Sequence, residues 1–358
     1  MVTEYRAATA TGRGWGVGTR RSGRPTSKDV AKLAGVSHTA VSFVLNGRAE
    51  GNIAPATQER IRAAVEELGY RPDTLARGLR RRRTAMLGLV TDHIASSPFA
   101  GELLTGAMDT AWAAEHLVLT VDSAGDPEKE AAAVDGLLDR RVDGIVYAAM
   151  SPYRAVLPAG LRSTPTVLAN CLPAHGDRAA VVPDDRAGGA AATRALLEAG
   201  HRRIAVVGGI DDIATAERLA GHRDALAAAG VAEGPVRPGG GDLSDGYALA
   251  RTLLDGPDRP TGITCYNDRV ATGVLLAAAR LGIRVPDELS VVGYDDQQIL
   301  AAHTTPPLTT VALPHRAMGE TAVRLLLDAL AAGTAPEPQL LRLPCTLVER
   351  DSVAPPPG

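Results

Sequence analysis

The residues that could do chemistry by type and spacing fall into two unlike sets. Between positions 20 and 83, fourteen Lys and Arg stand against six Asp and Glu, a net +8 that ends in the run Arg80 to Arg83. A cationic block of that density suits the neutralisation of phosphates on a polyanion. Residues 84–358 carry 22 basic and 34 acidic groups, net −12, so the overall −3 conceals a division of labour. The nucleophilic and metal-binding types are scattered. Cys171, Cys265 and Cys345 are isolated and include no C-x-x-C pair, which points to a reducing compartment rather than a zinc site or a disulfide framework. None of the eight histidines belongs to an H-E-x-x-H or a comparable metal spacing.

Phosphate-cradling loops are also missing from the sequence. Gly208-Gly209 follows an apolar run but lacks the G-x-G-x-x-G spacing, and Gly12, Gly14, Gly16 and Gly18 have no strand before them. With no P-loop or nucleophile elbow either, the expectation is a protein that is not an enzyme and needs no cofactor. A chain of 358 residues, 45% hydrophobic, should fold as two or three packed units. No apolar run approaches the ~20 residues of a membrane helix. Residues 1–24 lack the apolar region of a secretory signal, so they are read as a disordered tail and the protein as cytoplasmic, with no membrane partner.

The basic segment has dense helical periodicity. Thr26 and Asp29 have capping-box spacing, and Val30, Leu33 and Ala34 recur at i, i+3, i+4. Gly35 interrupts this helix, Ser37 can cap a second one buried through Val41, Val44 and Leu45, and a third starts after Pro55 and ends at Gly69. From Thr84 onward short apolar runs alternate with Ala-rich amphipathic stretches. Met86–Val90, Leu117–Val121, Gly144–Tyr147, Thr166–Leu168, Ile204–Val207, Gly262–Thr264 and Ser290–Val292 read as buried parallel strands. That alternation implies an α/β fold, and so many strands exceed one compact sheet. The expected architecture is therefore a three-helix bundle followed by two doubly wound parallel-sheet lobes with a cleft between them.

From Val30 through Gly47 the sequence resembles the helix-turn-helix of the lac/gal repressor family. The resemblance continues through Glu66-Glu67-Leu68-Gly69-Tyr70-Arg71-Pro72, Gly200-His201-Arg202-Arg203-Ile204, Asn267-Asp268, Gly282-Ile283-Arg284-Val285-Pro286, Ser290 to Asp296 and Pro307 to Val311. The ordered set spans about residues 25–350. It implies a helix-turn-helix domain over 25–70, a hinge over 71–83 and a two-lobed effector-binding and dimerisation domain over 84–350. The lobes would be interleaved, with crossovers near 183, 313 and 340, and residues 351–358 would form a disordered tail.

The resemblance assigns DNA contacts to Thr26, Ser27, Ser37, His38, Thr39, Ser42, Phe43, Asn46, Thr57 and Arg77, with Leu79 as a minor-groove wedge. Residues at the start of a recognition helix reach base edges, while hydroxyls, amides and helix N-termini hold phosphates. His38 and Thr39 stand where base preference is set. Phe43 replaces an arginine common in the family, so a bidentate guanine contact is lost, leaving either a thymine-methyl contact or packing on the bundle. An apolar wedge such as Leu79 would kink the duplex.

For the effector, the resemblance points to Asp92, Phe99, Asn170, Arg218, Asn267 and Asp295, most of them just after strands, where open α/β sheets bind ligands. Asp268 is expected to be structural. Leu243 and His315 stand where some sugar-responding members carry aromatics, which leaves Phe99 and Tyr266 as the rings available to a ligand. A sugar or sugar derivative is the default effector, and a nucleobase or other metabolite acting as corepressor is the alternative. The resemblance implies a homodimeric repressor on double-stranded, pseudo-palindromic operator DNA. A secreted sugar-binding protein without a regulatory role is the rival, and the basic bundle and absent signal count against it.

Overall fold

The computed structural model describes residues 25–70, 84–94, 101–256 and 258–357. The expected tail 1–24, the hinge 71–83 with Arg77 and Leu79, and Phe99 lie outside them. The chain divides into two compact units, residues 1–80 and 81–358.

The described part of the first unit is a three-helix bundle: α1 (Ser27–Ala34), α2 (His38–Leu45) and α3 (Pro55–Glu67). Its ends are set by local chemistry. Thr26 and Asp29 form the expected capping box, Gly35 closes α1 in the left-handed region at φ 64°, and Ser37 Oγ accepts from Ala40 N. Pro55 stands in the first turn of α3, where its missing N–H costs nothing. Val30, Ala31, Ala34, Val41, Ile61 and Ala64 form the core, with Val44, Leu45, Val65 and Leu68 packed around it.

The second unit contains two six-stranded sheets. The N-lobe sheet consists of β1 (Met86–Thr91), β2 (Leu117–Asp122), β3 (Gly144–Ala148), β5 (Thr166–Ala169), β7 (Ala179–Pro183) and β13 (Leu340–Leu343); β4 (Arg154–Ala155) and β6 (Leu172–Pro173) form a small ribbon. Its order is β13-β7-β5-β3-β1-β2, parallel throughout. Its helices are α4 (Gly101–Ala113), α5 (Pro127–Asp139) and α10 (His315–Ala332). The C-lobe sheet has the order β14-β12-β11-β10-β8-β9, built from β8 (Ile204–Val207), β9 (Val236–Arg237), β10 (Gly262–Cys265), β11 (Ser290–Asp295), β12 (Thr309–Ala312) and β14 (Thr346–Val348). It is parallel except for the β12–β14 pair. Helices α6 (Asp185–Glu198), α7 (Ile213–Ala228), α8 (Leu243–Leu254) and α9 (Asp268–Arg280) cover it.

The expected α/β architecture with parallel sheets is borne out. The chain passes between sheets at 183–185, 312–315 and 343–346. The third passage falls later than 340 because Leu340–Leu343 still pairs with β7. The expectation of a disordered tail is corrected. Ser352 is fully buried, its hydroxyl donating to Val291 O at 2.6 Å and accepting from Thr309 N at 2.8 Å. Ala354 bonds Ser290 Oγ and His201 through its N–H and carbonyl. A Pro-rich composition reads as a tail, but these two residues supply the polar partners that the β11–β12 edge requires.

Candidate functional site

In the bundle, one face of α2 buries Val41, with Val44 and Leu45 packed beside it. An adjoining face carries His38, Ser42 and the C-cap residue Asn46 at i, i+4, i+8, with Thr39 exposed beside them. Asn46 Nδ2 donates to Ser42 O and Oγ at 2.7 and 3.1 Å, so these two polar residues fix one another. His38 Nε2 lies 2.8 Å from Ser27 Oγ, which joins the first residues of α1 and α2. Thr26 and Ser37 spend their hydroxyls on caps, while Thr57 and Phe43 are half-buried. Phe43 is not one of the side chains of the bundle core.

In the second unit a cavity of about 350 Å³ opens between the two sheets, at the C-terminal ends of their strands. The N-lobe contributes His93, Met150, Ser151, Pro152 and Asn170, and Pro183 marks the first passage between lobes. Opposite stand Arg218, Tyr266, Asn267, Arg269 and Asp295, with Ala214 and Leu313 as apolar patches. Asn170 and Asp295 adopt φ 56° and 102°, sparsely populated backbone that turns their side chains at the strand ends.

Arg218 is the most constrained of these groups. Its Nε donates to Asp185 Oδ1 at 2.8 Å, its Nη1 donates to Tyr266 O at 2.7 Å, and Asp295 Oδ1 stands 3.8 Å away. Its guanidinium carbon is 3.7 Å from the Tyr294 ring centroid and 5.1 Å from that of Tyr266. The helix carrying it is held close to α6, since Gly189 lies against the Arg218 backbone and Gly221 against Arg186 O, where a Cβ would collide. Burial pushes the Asp295 carboxyl up to about 6, opposed by the neighbouring Arg218.

The structure brings Asn170, Arg218, Asn267 and Asp295 together around one cavity. Asn170 Nδ2 donates to Ala149 O and Met150 O, both at 2.9 Å, so it shapes the loop as well as lining it. Asn267 caps α9, accepting from Val270 N and donating to Gly241 O, both at 2.9 Å. Asp92 is not one of the lining residues: its carboxylate accepts from Met150 N and His93 N and so supports the wall from behind. Asp268 is structural, as expected. Fully buried, it accepts from Gln297 N and Thr310 Oγ1, both at 2.6 Å. His315 is buried at the start of α10, held neutral by burial and by the Arg218 charge, with its pKa pushed down to about 4. Sequence reasoning missed Asp185 and Arg269. Asp185 follows the crossover at Pro183, and that position was its only signal.

The fold and the cleft define a two-lobed small-molecule-binding module on the same chain as a helix-turn-helix bundle. The family model for bacterial regulatory proteins of the lacI family matches residues 26–73, and the one for a periplasmic binding protein-like domain matches residues 193–353. The chain belongs to the lacI family. It is 33% identical over 333 residues to the ribose operon repressor of Escherichia coli strain K12, covering 91% of this chain and 99% of that one. It is 34% identical to the transcriptional repressor PurR of Erwinia tasmaniensis, with coverages of 92% and 97%. The structure of the lac repressor dimer bound to operator and the anti-inducer ONPF matches with a TM-score of 0.78 at 26% identity, covering 93% and 100% of the two chains.

Proposed function

We propose that this protein is a transcriptional repressor that binds a pseudo-palindromic operator as a homodimer and is controlled by a sugar or sugar derivative in the cleft between the lobes. The observation that carries the effector reading is the fixed donor and acceptor set of Arg218, Asp295 and Asn170 around one cavity. Such groups, held by neighbours rather than free to rotate, match the several hydroxyls of a sugar ring. The lac repressor dimer supports the dimeric state, as do Met108 and Trp112, 41% and 73% exposed at i, i+4 on α4. His38 and Thr39 would read bases while Ser27, Ser42 and Asn46 position the helix on phosphates; Leu79 and Arg77 would act at the hinge. The named relatives are repressors, and no helix among the described residues is long and apolar enough to cross a membrane. The protein would work in the cytoplasm.

A nucleobase acting as corepressor is the second reading, favoured by one observation. The Tyr266 hydroxyl donates to Asp212 at 2.9 Å, which fixes a ring plane on which a flat heterocycle could stack. Calorimetric titration with a panel of pentoses, hexoses and nucleobases separates the two readings. Saturable binding of a sugar, lost in Arg218→Met, is the expected result, whereas binding confined to nucleobases would select the second reading. Arg218-dependent binding by neither class would overturn both.

A further inference from the structure

Behind Arg218, inside the C-lobe, lies a second and smaller chamber of about 70 Å³. Helix α7 presents Thr215, Arg218, Leu219 and His222 to it at i, i+3, i+4, i+7, and the rings of Tyr266 and Tyr294 stand on the sheet side. Exposed Pro238 is also part of its lining, so the chamber reaches the surface beside β9. Arg218 and Tyr266 line both this chamber and the effector cavity, which makes them the partition between the two.

Two residues lining this largely apolar room carry a buried polar atom without a hydrogen-bond partner: Tyr294, whose hydroxyl lies against Gly188, and His222. His222 is 2% exposed, and its Nε2 has no hydrogen-bond partner. The Thr193 hydroxyl donates its single proton to Gly189 O at 2.9 Å, so at its 2.8 Å contact with His222 it acts as acceptor and Nδ1 carries the imidazole proton. Nε2 is then a bare acceptor. Burial keeps the ring neutral, pushing its pKa down to about 4. A buried acceptor without a donor costs on the order of 1–3 kcal/mol, which an O–H or N–H group placed there would recover. The occupant must be neutral, because a cation would be desolvated beside the Arg218 guanidinium and a carboxylate-type anion would bring an acceptor rather than a donor to Nε2. It must also be small, since a cavity of about 150 Å³ is what accommodates benzene.

We propose that this chamber is a second small-molecule site, distinct from the effector cavity, for a compact neutral compound of about four heavy atoms with an apolar body and one hydrogen-bond donor directed at His222 Nε2. Because Arg218 forms the shared wall, occupancy of the chamber bears on the group that faces the effector, and the two sites influence one another reciprocally.

The test uses the full chain labelled with ¹⁵N at His and Arg, titrated with propan-2-ol and, separately, with acetone, which has the same heavy-atom count and no donor. Propan-2-ol should shift the His222 Nε2 and Arg218 Nε resonances along one saturable curve, with acetone weaker by at least about fivefold, the equivalent of one hydrogen bond. His222→Phe, which keeps a ring and removes the acceptor, should erase the difference between the two probes as read at Arg218 Nε. Leu219→Phe, which narrows the chamber, should weaken both probes. Linear, unsaturable shifts, equal action of alcohol and ketone on the wild type, or full binding by Leu219→Phe would overturn the proposal and leave the chamber to ordered water. Operator binding is not read here, so this result and the repressor reading can fail independently.

Discussion

Arg218 Nε donates to Asp185 Oδ1 at 2.8 Å, and this ion pair ties the effector wall on α7 to the first residue of α6, two positions after the chain leaves the N-lobe sheet at Pro183. The two side chains are 13% and 5% exposed. A change in how the lobes meet therefore acts directly on the group that faces the ligand.

Removing one partner of a buried pair typically costs about 3–5 kcal/mol, because the other charge is stranded. Arg218→Met should lower stability to chemical denaturation by an amount of that order and abolish effector binding. Asp185→Asn keeps the shape and leaves Arg218 near Asp295, so its loss should be smaller in both respects. Unchanged ligand affinity in Arg218→Met would remove Arg218 from the site.

Stability should fall as pH rises from about 6.5 to about 8, above the range in which the buried His222 and His315 contribute in the opposite sense, and Asp268 should account for part of the fall. Burial first, and then the neighbouring Asp295, push the Asp268 carboxyl from 3.8 up to about 8. A carboxyl bound more tightly to its proton in the folded state contributes fully below its unfolded value and loses that contribution as pH rises through the folded value. Thermal melts of the wild type between about pH 6.5 and about pH 8 should therefore show a declining midpoint, and Asp268→Asn should decline less over the same window. Parallel profiles would mean that Asp268 does not titrate there.

On the bundle, His38→Ala and Thr39→Ala should change which bases are selected from a randomised operator library. Ser42→Ala should weaken binding to all sequences alike, with a shallower salt dependence. Ser37→Ala should cost roughly 1 kcal/mol of stability through the lost cap of α2. A library profile unaltered by His38→Ala would place base reading elsewhere.

The C-terminal segment should prove structural. Ser352→Ala leaves Thr309 N buried without its acceptor and should cost about 1–3 kcal/mol, measured by denaturation. Indifference to that substitution, or to removal of residues 351–358, would restore the reading of a tail.

What the sequence revealed and what it hid divide by range. The capping box of Thr26 and Asp29, the Ser37 cap and the left-handed Gly35 are local signals within three or four residues, and the bundle was legible through them. The strands were legible where Val, Ile and Leu run together. Ala179–Pro183 and Thr309–Ala312 were not, because Ala, Thr and Pro mask their pattern. Arg218 and Asp295 could be named from the resemblance, but the pairing of Arg218 with Asp185 spans 33 residues and only the fold brings it about. The resemblance assigns Asp92, just after a strand, to the cleft. Its carboxylate instead serves the Met150 backbone 58 residues away, a partner no spacing rule could supply.

The central claim is that the cleft and the operator are coupled. The direct measurement is operator affinity of the full chain, at fixed salt, with and without a saturating sugar or nucleobase whose binding is lost in Arg218→Met. Operator Kd should change by about 5-fold to 150-fold, matched by an equal change in ligand affinity when operator is present. A ligand that fills the cleft and leaves operator affinity unchanged would contradict it.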